Sequence, residues 1–384
     1  MYTNIDIYEM ASRQFPLFEK LESHLTAHGT MEGIKIGWHC HLTSLTAIAA
    51  ECLLAAGADL ILSECSEATT ESSAVEKMKA AGAKVYLGRD STNKTLNESP
   101  SVLSDTGLVL ISAYLEKAKT EGLNLRNSPK GASEITSSGI SRLRETERQM
   151  SLPLTVVNLN DGILKSHIEN FHGVGDGLID ALKMCTGRSF AGEIATVAGY
   201  GKVGAGAAKY LKEAGCLVNI VETDPVRALL AHYDGFALTN LEQGLSKSKL
   251  FISATGKKSL LNEREWIRAR DGLIAINLGH WQEELNLSAL GEASRSQERL
   301  SNNLTAFVLK ESGNTIYVMT EGAPANVALL TGTIEPTLIH LAVELLTMKY
   351  LLEKGSLLDN GETALPYEIE KAVSELALQA LKIG

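Results

Sequence analysis

"GEIATVAGYGKVGAGAAKYLKEAGCLVNIVETDP", residues 192–225, decides the fold of this chain. An apolar run over 194–198 stops at Gly199-Tyr200-Gly201-Lys202-Val203-Gly204, a GxGxxG turn, and a helical pattern follows over 205–214. A second apolar run, 217–221, ends in Glu222, at the spacing of about twenty residues expected of a dinucleotide fingerprint. The glycines permit a tight turn and let backbone N–H groups approach a pyrophosphate at the positive end of the helix. A carboxylate closing the second strand accepts hydrogen bonds from both ribose hydroxyls and repels a 2′-phosphate. Glu222 therefore selects NAD over NADP, a preference that Arg227 nearby weakens slightly.

Working outward, the same alternation recurs. Residues 34–38 read as a strand and 43–56 as a helix capped by Thr43. After Gly57 come a strand (58–64), a helix (71–81), Gly82 and a strand (83–88). Residues 88–100 are polar and loop-like, and 101–105 is a further strand. Downstream, strands are expected at 249–255 and 273–279, a last one at 315–322, and helical sequence at 337–353. Strand–helix alternation of this kind predicts parallel sheets. The fold class is α/β, with two doubly wound Rossmann-like domains. The expected boundaries are 1–167 for the first part of one domain, 168–325 for the dinucleotide-binding domain, and 326–384 for closing helices that pack back on the first.

Composition narrows the function. The chain has 384 residues, 44% of them hydrophobic, and a net charge of −10, which argues against nucleic acid as a main partner. No uninterrupted apolar run reaches membrane-spanning length, and the N-terminus MYTNIDIYEMASRQF lacks the basic start and apolar run of a signal peptide. The five cysteines are odd in number, with no CxxC pair, and no metal site stands out. A reduced, cytoplasmic protein is expected.

A second stretch demands explanation. "VVNLNDGILKSHIEN", 156–170, opens as a buried strand, breaks at Asn160-Asp161-Gly162, and then places Lys165 and Glu169 four apart, on one face of a helix, with Asn170 following. Taken alone, this is also what a solvated turn and a surface ion pair look like.

These motifs together resemble the S-adenosylhomocysteine hydrolase family. The resemblance rests on "NLNDGILKSHIENFHG" (158–173), "VAGYGKVGAG" (197–206), "VETDP" (221–225), "ISATG" (252–256) and "NLGHW" (277–281), in order along nearly the whole chain, with weaker matches at "HLT" (41–43) and "SEITSSG" (133–139). It implies an NAD domain (168–325) inserted into a substrate domain (1–167 with 326–384), and an enzyme in which NAD oxidises the 3′-hydroxyl of a nucleoside, the ketone acidifies the 4′ proton, the 5′ substituent leaves, water adds, and the ketone is reduced again. By that resemblance Lys165 shuttles the 3′-oxygen proton, its pKa brought toward neutrality by burial, with Glu169 as partner where the family usually has aspartate. Asn160 belongs to the same catalytic motif. His41 works near the 5′ position, His280 lies by the ribose and nicotinamide, and Thr43 touches the purine. The cofactor falls to Gly199, Gly201, Lys202, Val203, Gly204, Glu222 and Arg227, to Thr255 and Gly256, to Leu278 and Gly279, and to Asn170, Thr136, Ser137, Ser138 and Asn326. A homodimer or homotetramer is implied. His39 has no counterpart and reads as structural.

The departures cluster in the substrate half. Val109 stands where the family has a catalytic aspartate, with only Asp105 upstream. Ile135 replaces a ribose-binding glutamate, and Leu45 a glutamate two residues after Thr43. Gly332-Thr333-Ile334 replaces a GHP turn and Val174 a cysteine, and the family's Lys/Tyr tail has no match in LKIG at 381–384. Each lost carboxylate would leave a buried substrate hydroxyl or amine unpaired, at about 1–3 kcal/mol apiece. The sequence therefore points to an altered nucleoside substrate, handled by elimination or hydration at C4′–C5′. Genuine S-adenosylhomocysteine hydrolysis and a non-catalytic NAD-binding regulator are the alternatives.

Overall fold

The computed structural model describes residues 7–26, 31–121 and 128–383. The chain divides into two units, 1–166 with 334–384, and 167–333. The strands of the first unit are β1 (Lys35–Cys40), β2 (Asp59–Glu64), β3 (Lys84–Tyr86), β4 (Val102–Asp105), β5 (Ala132–Glu134) and β6 (Thr155–Asn158). Those of the second are β7 (Ile194–Ala198), β8 (Leu217–Val221), β9 (Ala237–Leu238), β10 (Leu250–Ser253), β11 (Leu273–Asn277), β12 (Ser294–Ser301), β13 (Leu304–Leu309) and β14 (Thr315–Met319). A last strand, β15 (Gly361–Ala364), returns to the first unit.

The first sheet runs β15-β6-β5-β4-β1-β2-β3, every pair parallel. The second runs β12-β13-β14-β11-β10-β7-β8-β9, parallel except for β12 and β13. In each, strand order reverses next to the first strand, between β1 and β4 and between β7 and β10. Loops leaving the carboxyl ends there part to opposite faces and open a crevice, the usual ligand position in such sheets.

Sequence explains the local elements. Thr43 Oγ1 accepts the Thr46 N–H at 3.3 Å and starts the helix Ser44–Ala55, whose small buried residues Ala47, Ala49 and Ala50 let it lie close to the sheet. Gly57 and Gly82 follow their helices at φ +95° and +111°, a conformation that strains any L side chain. In the second unit, Val197, Ile220, Ile252 and Ile276 from four neighbouring strands fill one face of the core.

Four expectations are corrected. Residues 88–100 are not a loop throughout, because Ser91–Asn97 is helical. Its buried face is made of Ser91, Thr92, Thr95 and Leu96, too polar to register as a hydrophobic stripe. The strand at 315–319 is not the last; β15 follows, a polar edge strand, GETA, held by its pairing with β6. The β12–β13 hairpin went unforeseen, since β12 (SRSQERLS) is exposed and polar along nearly its whole length. Finally, the second unit extends to Thr333. The helix Ala325–Ala328 and Thr331 belong with it, and Thr331 Oγ1 donates to the Gly177 carbonyl at 2.7 Å.

Candidate active site

In the second unit, the glycines of the turn after β7 have different physical reasons. Gly199 sits at φ +95°, and a Cβ there would lie 2.5 Å from the Ala254 carbonyl oxygen of the loop after β10. A Cβ on Gly204 would lie 2.0 Å from the Gly199 carbonyl oxygen, so this glycine lets the helix Lys202–Glu213 pack on the turn. Gly201 is the open one: a Cβ there would meet nothing nearer than Arg227 Nη1 at 3.8 Å. Space beside the free N–H groups of a helix start is what a pyrophosphate needs. The helix begins at Lys202, earlier than its sequence pattern suggested, so Lys202 and Val203 form its first turn.

Glu222 follows β8. Its Oε2 accepts the Tyr200 N–H at 2.7 Å, and its Oε1 those of Thr223 and Asp224 at 2.6 and 2.9 Å. Burial pushes its pKa up, but these three N–H groups and the Arg227 guanidinium outweigh it and hold the carboxyl below its ordinary range. An ionised acceptor therefore stands at the end of the second strand, and the residues present fit NAD.

The loops carrying Thr255-Gly256 and Leu278-Gly279-His280 are tied down by a residue that no motif flagged, Glu284. It is fully buried and accepts from Ser253 Oγ at 2.6 Å, from Thr255 N and Oγ1 at 3.2 and 3.1 Å, and from Gly256 N at 3.0 Å. A Cβ on Gly279 would fall 1.7 Å from Glu284 Oε1, so glycine there makes room for the carboxylate. Asn277 completes the clamp, accepting from Gly279 N and donating to the carbonyls of Trp281 and Gly322. His280 stacks edge-on against Trp281, with ring centroids 4.5 Å apart. Asn326 is buried, and its carbonyl receives the Thr331 and Gly332 N–H groups.

In the first unit, the loops after β1, β4, β5 and β6 hold the remaining candidates. His41 Nδ1 is 2.7 Å from Thr69 Oγ1, which fixes the ring, and Nε2 is 3.9 Å from Cys65 Sγ. Thr43 is engaged as the helix cap. His39 is buried, with Nδ1 3.1 Å from Ser63 Oγ and Nε2 without a hydrogen-bond partner among the described residues. Burial lowers its pKa, against the opposing charges of Asp105 and Glu64, so it sits as a neutral imidazole at neutral pH.

Asp105 is unsuited to replace the acid/base lost at Val109. It is fully buried, and its two oxygens accept from Thr106 N and Ile111 N at 2.8 and 2.7 Å, the second inside the helix Val109–Glu121. Glu134 plays the part Glu284 plays in the other unit. It accepts from Gly107 N, Leu108 N, Thr136 N and Thr136 Oγ1 at 2.6–3.0 Å, and a Cβ on Gly139 would lie 2.2 Å from its Cδ. Burial and neighbouring Asp105 raise its pKa. Thr136 is spent on capping the helix Ser137–Gln149, and Ser138 donates to Thr136, whereas Ser137 is exposed and donates to Asn160 Oδ1 at 2.8 Å. Asn160 in turn donates to Asp161, which joins Asn158, Arg144 and Glu362 in one network.

The helix Leu164–Gly173 is wound as a π-helix, not the α-helix its spacing implied. Glu370, near the C-terminus, accepts the otherwise orphaned Leu164 N–H at 2.8 Å. Lys165 and Asn170 are buried and Glu169 half-buried. The unit boundary falls inside this helix, after Ser166. Beyond it, His167 Nε2 is 2.8 Å from Lys202 Nζ, and a Cβ on Gly206 would lie 2.0 Å from the Phe171 carbonyl oxygen. The missing side chain at Gly206 thus brings the segment bearing Glu169 and Asn170 against the fingerprint helix. Glu284 and Glu370 lie in no motif read from the sequence, and Glu134 and Gly206 lie inside quoted motifs without a role read for them, because each acts through packing or a loop N–H group, which leaves no spacing to read.

Comparison with known proteins follows the same division. Residues 170–332 match the family model described as S-adenosyl-L-homocysteine hydrolase, NAD binding domain. The chain is 30% identical over 384 residues to the S-inosyl-L-homocysteine hydrolase of Methanocaldococcus jannaschii, covering 98% of this chain and 91% of the relative. It is 28% identical to the S-inosyl-L-homocysteine hydrolase of Methanopyrus kandleri, over 98% of this chain and 90% of the relative. The adenosylhomocysteinase of Archaeoglobus fulgidus is also 28% identical, over 98% of this chain and 93% of the relative.

Proposed function

Because the chain belongs to the S-adenosyl-L-homocysteine hydrolase family, NAD-dependent enzymes of that type, we propose that it oxidises the 3′-hydroxyl of a 5′-substituted nucleoside whose base carries a carbonyl where adenine has its amine. The observation that carries the activity is the buried Lys165, held on a helix whose first N–H is capped by Glu370. NAD, when bound, takes the hydride from C3′ and returns it at the end of the cycle. Gly199, Gly201, Gly204 and Glu222 would hold it, with the Thr255-Gly256 and Leu278-Gly279 loops. Lys165 takes the hydroxyl proton. With C3′ a ketone, the C4′ proton becomes acidic, and His41 removes it. An imidazole is matched to that task near neutral pH, and Thr69 keeps its ring oriented. The 5′ substituent then departs with a proton, and water adds across the C4′–C5′ bond before the ketone is reduced.

The assignment of the base rests on Leu45. A carboxylate at that place accepts from an exocyclic amine; a buried leucine cannot, and an unpaired amine would cost about 1–3 kcal/mol. A 6-oxo base avoids that loss, which also accords with the substrate named for the S-inosyl-L-homocysteine hydrolases.

The test supplies S-inosyl-L-homocysteine and S-adenosyl-L-homocysteine to the NAD-loaded protein in D2O. The inosyl compound should give NADH absorbance, deuterium at C4′, and a kcat/KM at least about tenfold higher, equivalent to about 1.4 kcal/mol. His41→Ala should slow the exchange. Equal or better turnover of the adenosyl compound would sink the assignment of the base. Absence of both NADH and deuterium with every nucleoside would favour a regulator.

A further inference from the structure

The long helix Ile334–Lys354 carries two buried titratable side chains one turn apart, His340 and Glu344. Neither belongs to any motif identified in the sequence. Glu344 reaches across the first sheet. Its Oε1 accepts from Trp38 Nε1 of β1 at 2.7 Å and from Ser104 Oγ of β4, and Ser104 Oγ lies 2.9 Å from Ser133 Oγ of β5. Ser104 has one proton and gives it to the carboxylate, so Ser133 donates to Ser104. The network is complete on that side.

On the other side it is open. Among the described residues, Glu344 Oε2 is buried with no hydrogen-bond partner, and His340 Nε2, at 4.0 Å, is too far to supply one. Leaving a buried carboxylate oxygen unmet is unfavourable, and such exceptions need a reason. Charged or titratable groups that act on the pair include Asp105 at the end of β4, Cys40 at the end of β1, and Lys165. Lys165 is the cation among them. It is itself buried and in the same unit.

Resting on the reading of Lys165 as the 3′-oxygen proton shuttle, we propose that Glu344, with His340 beside it, is a positioning pair for Lys165: the open carboxylate oxygen supplies the charge that balances the lysine each time it takes up the substrate's proton. Neither residue touches substrate; both act through Lys165. Protonation fits this arrangement. Burial pushes the Glu344 carboxyl up to about 7, against the hydrogen bonds of Ser104 and Trp38 and the charge of Lys165. Burial first, and Lys165 second, hold His340 well below its ordinary value, so the imidazole stays neutral and does not compete for the carboxylate.

The first arm of the test needs neither substrate nor cofactor. In infrared spectra of the full-length protein, the carboxylic-acid carbonyl band that vanishes in Glu344→Gln should titrate near pH 7. In Lys165→Met its midpoint should rise by about one pH unit, because the cation that favours ionisation is gone. An unmoved midpoint overturns the proposal. The second arm follows NADH formation against pH. Glu344→Gln keeps an oxygen for Trp38 and Ser104 but loses the charge, so the acid limb should move to lower pH with KM unchanged. A change in KM or stability with the limb in place means a structural role only, and overturns the proposal. A moved midpoint with no nucleoside oxidised by the wild type sustains the pairing and overturns the shuttle reading of Lys165 instead.

Discussion

The two units repeat one plan with different materials. Each is a doubly wound sheet, and each closes the loops at its crevice around a buried glutamate, Glu134 in the first and Glu284 in the second, seated in the space a glycine leaves, Gly139 or Gly279. Burial raises the pKa of both carboxyls. The difference lies in what surrounds the clamp. In the second unit the ligand-facing features are backbone: a turn, a helix start, an open glycine. The first unit instead gathers ionisable side chains, His39, His41, Asp105, Lys165 and Glu344, at or behind the carboxyl ends of its strands. On the proposed reading, the unit that would hold NAD does so with peptide N–H groups, and the unit assigned the chemistry moves protons.

The sharpest way to break that comparison is Lys165→Ala. It should lower the rate of NADH formation with the true nucleoside by about 10²–10⁴-fold while the protein still retains NAD. Mass spectrometry of cofactor released from the denatured variant, beside single-turnover absorbance, checks both halves. Undiminished NADH formation would return Lys165 to a structural role.

Next are the two clamps. Gly139→Ala and Gly279→Ala each force a methyl group into a carboxylate already committed to loop N–H groups, and each should destabilise its unit by about 3 kcal/mol or more. Denaturant unfolding followed in each variant tests the symmetry. A mild effect in one only would show that its clamp is dispensable.

Gly201→Ala separates holding a ligand from holding the fold. A Cβ there meets only the tip of Arg227, so the melting temperature should not change, yet NAD affinity should fall by about tenfold, or 1.4 kcal/mol, as the methyl group enters the pyrophosphate space. Gly204→Ala, set against the Gly199 carbonyl, should do the reverse and lose stability first. Titration calorimetry and thermal unfolding of the pair would settle which glycine does which.

The smallest effect concerns Arg144, which binds Glu362 through Nε and Nη2 at 2.7 and 2.6 Å and Asp161 at 3.0 Å on a half-exposed surface. The hydrogen bond from Arg144, with that from Asn158, holds Glu362 below the ordinary carboxylate range. For Asp161, burial is outweighed by Asn160, Arg144 and Asn158 in the same direction. Depressed carboxyl values stabilise the fold above the unfolded pKa, and that stability is lost as pH falls through the folded values. Arg144→Ala should therefore cost about 0.5–1 kcal/mol at pH 7 and progressively less below pH 4, read by melting at each pH.

Legibility followed the same division. The strand–turn–helix at 194–213 was readable because glycine spacing and a carboxylate at a fixed distance encode backbone geometry directly. Most of the first unit's strands were readable from apolar runs, but β5 (ASE) and β15 were not, since neither has an apolar pattern and GETA exists only by pairing with β6. Likewise Lys165 was found through its motif, while the buried acids Glu344 and Glu284 were not. A glutamate inside an amphipathic-looking run carries no sign of what tertiary packing will bring to it. The helix Ser91–Asn97 escaped for the related reason that threonine and serine form its inner face.

The bond between Ser104 and Glu344 joins residues 240 positions apart, with the whole second unit threaded between them. On the ribosome, β1 to β6 emerge early, yet Trp38 and the serines of β4 and β5 must wait for the helix Ile334–Lys354, and β6 for its edge partner β15. The inserted unit, contiguous over 167–333, has every strand it needs long before the outer one does. Its native contacts close short loops, and those of the outer unit a very long one, so the cofactor-binding unit should fold first and the proton-handling unit last.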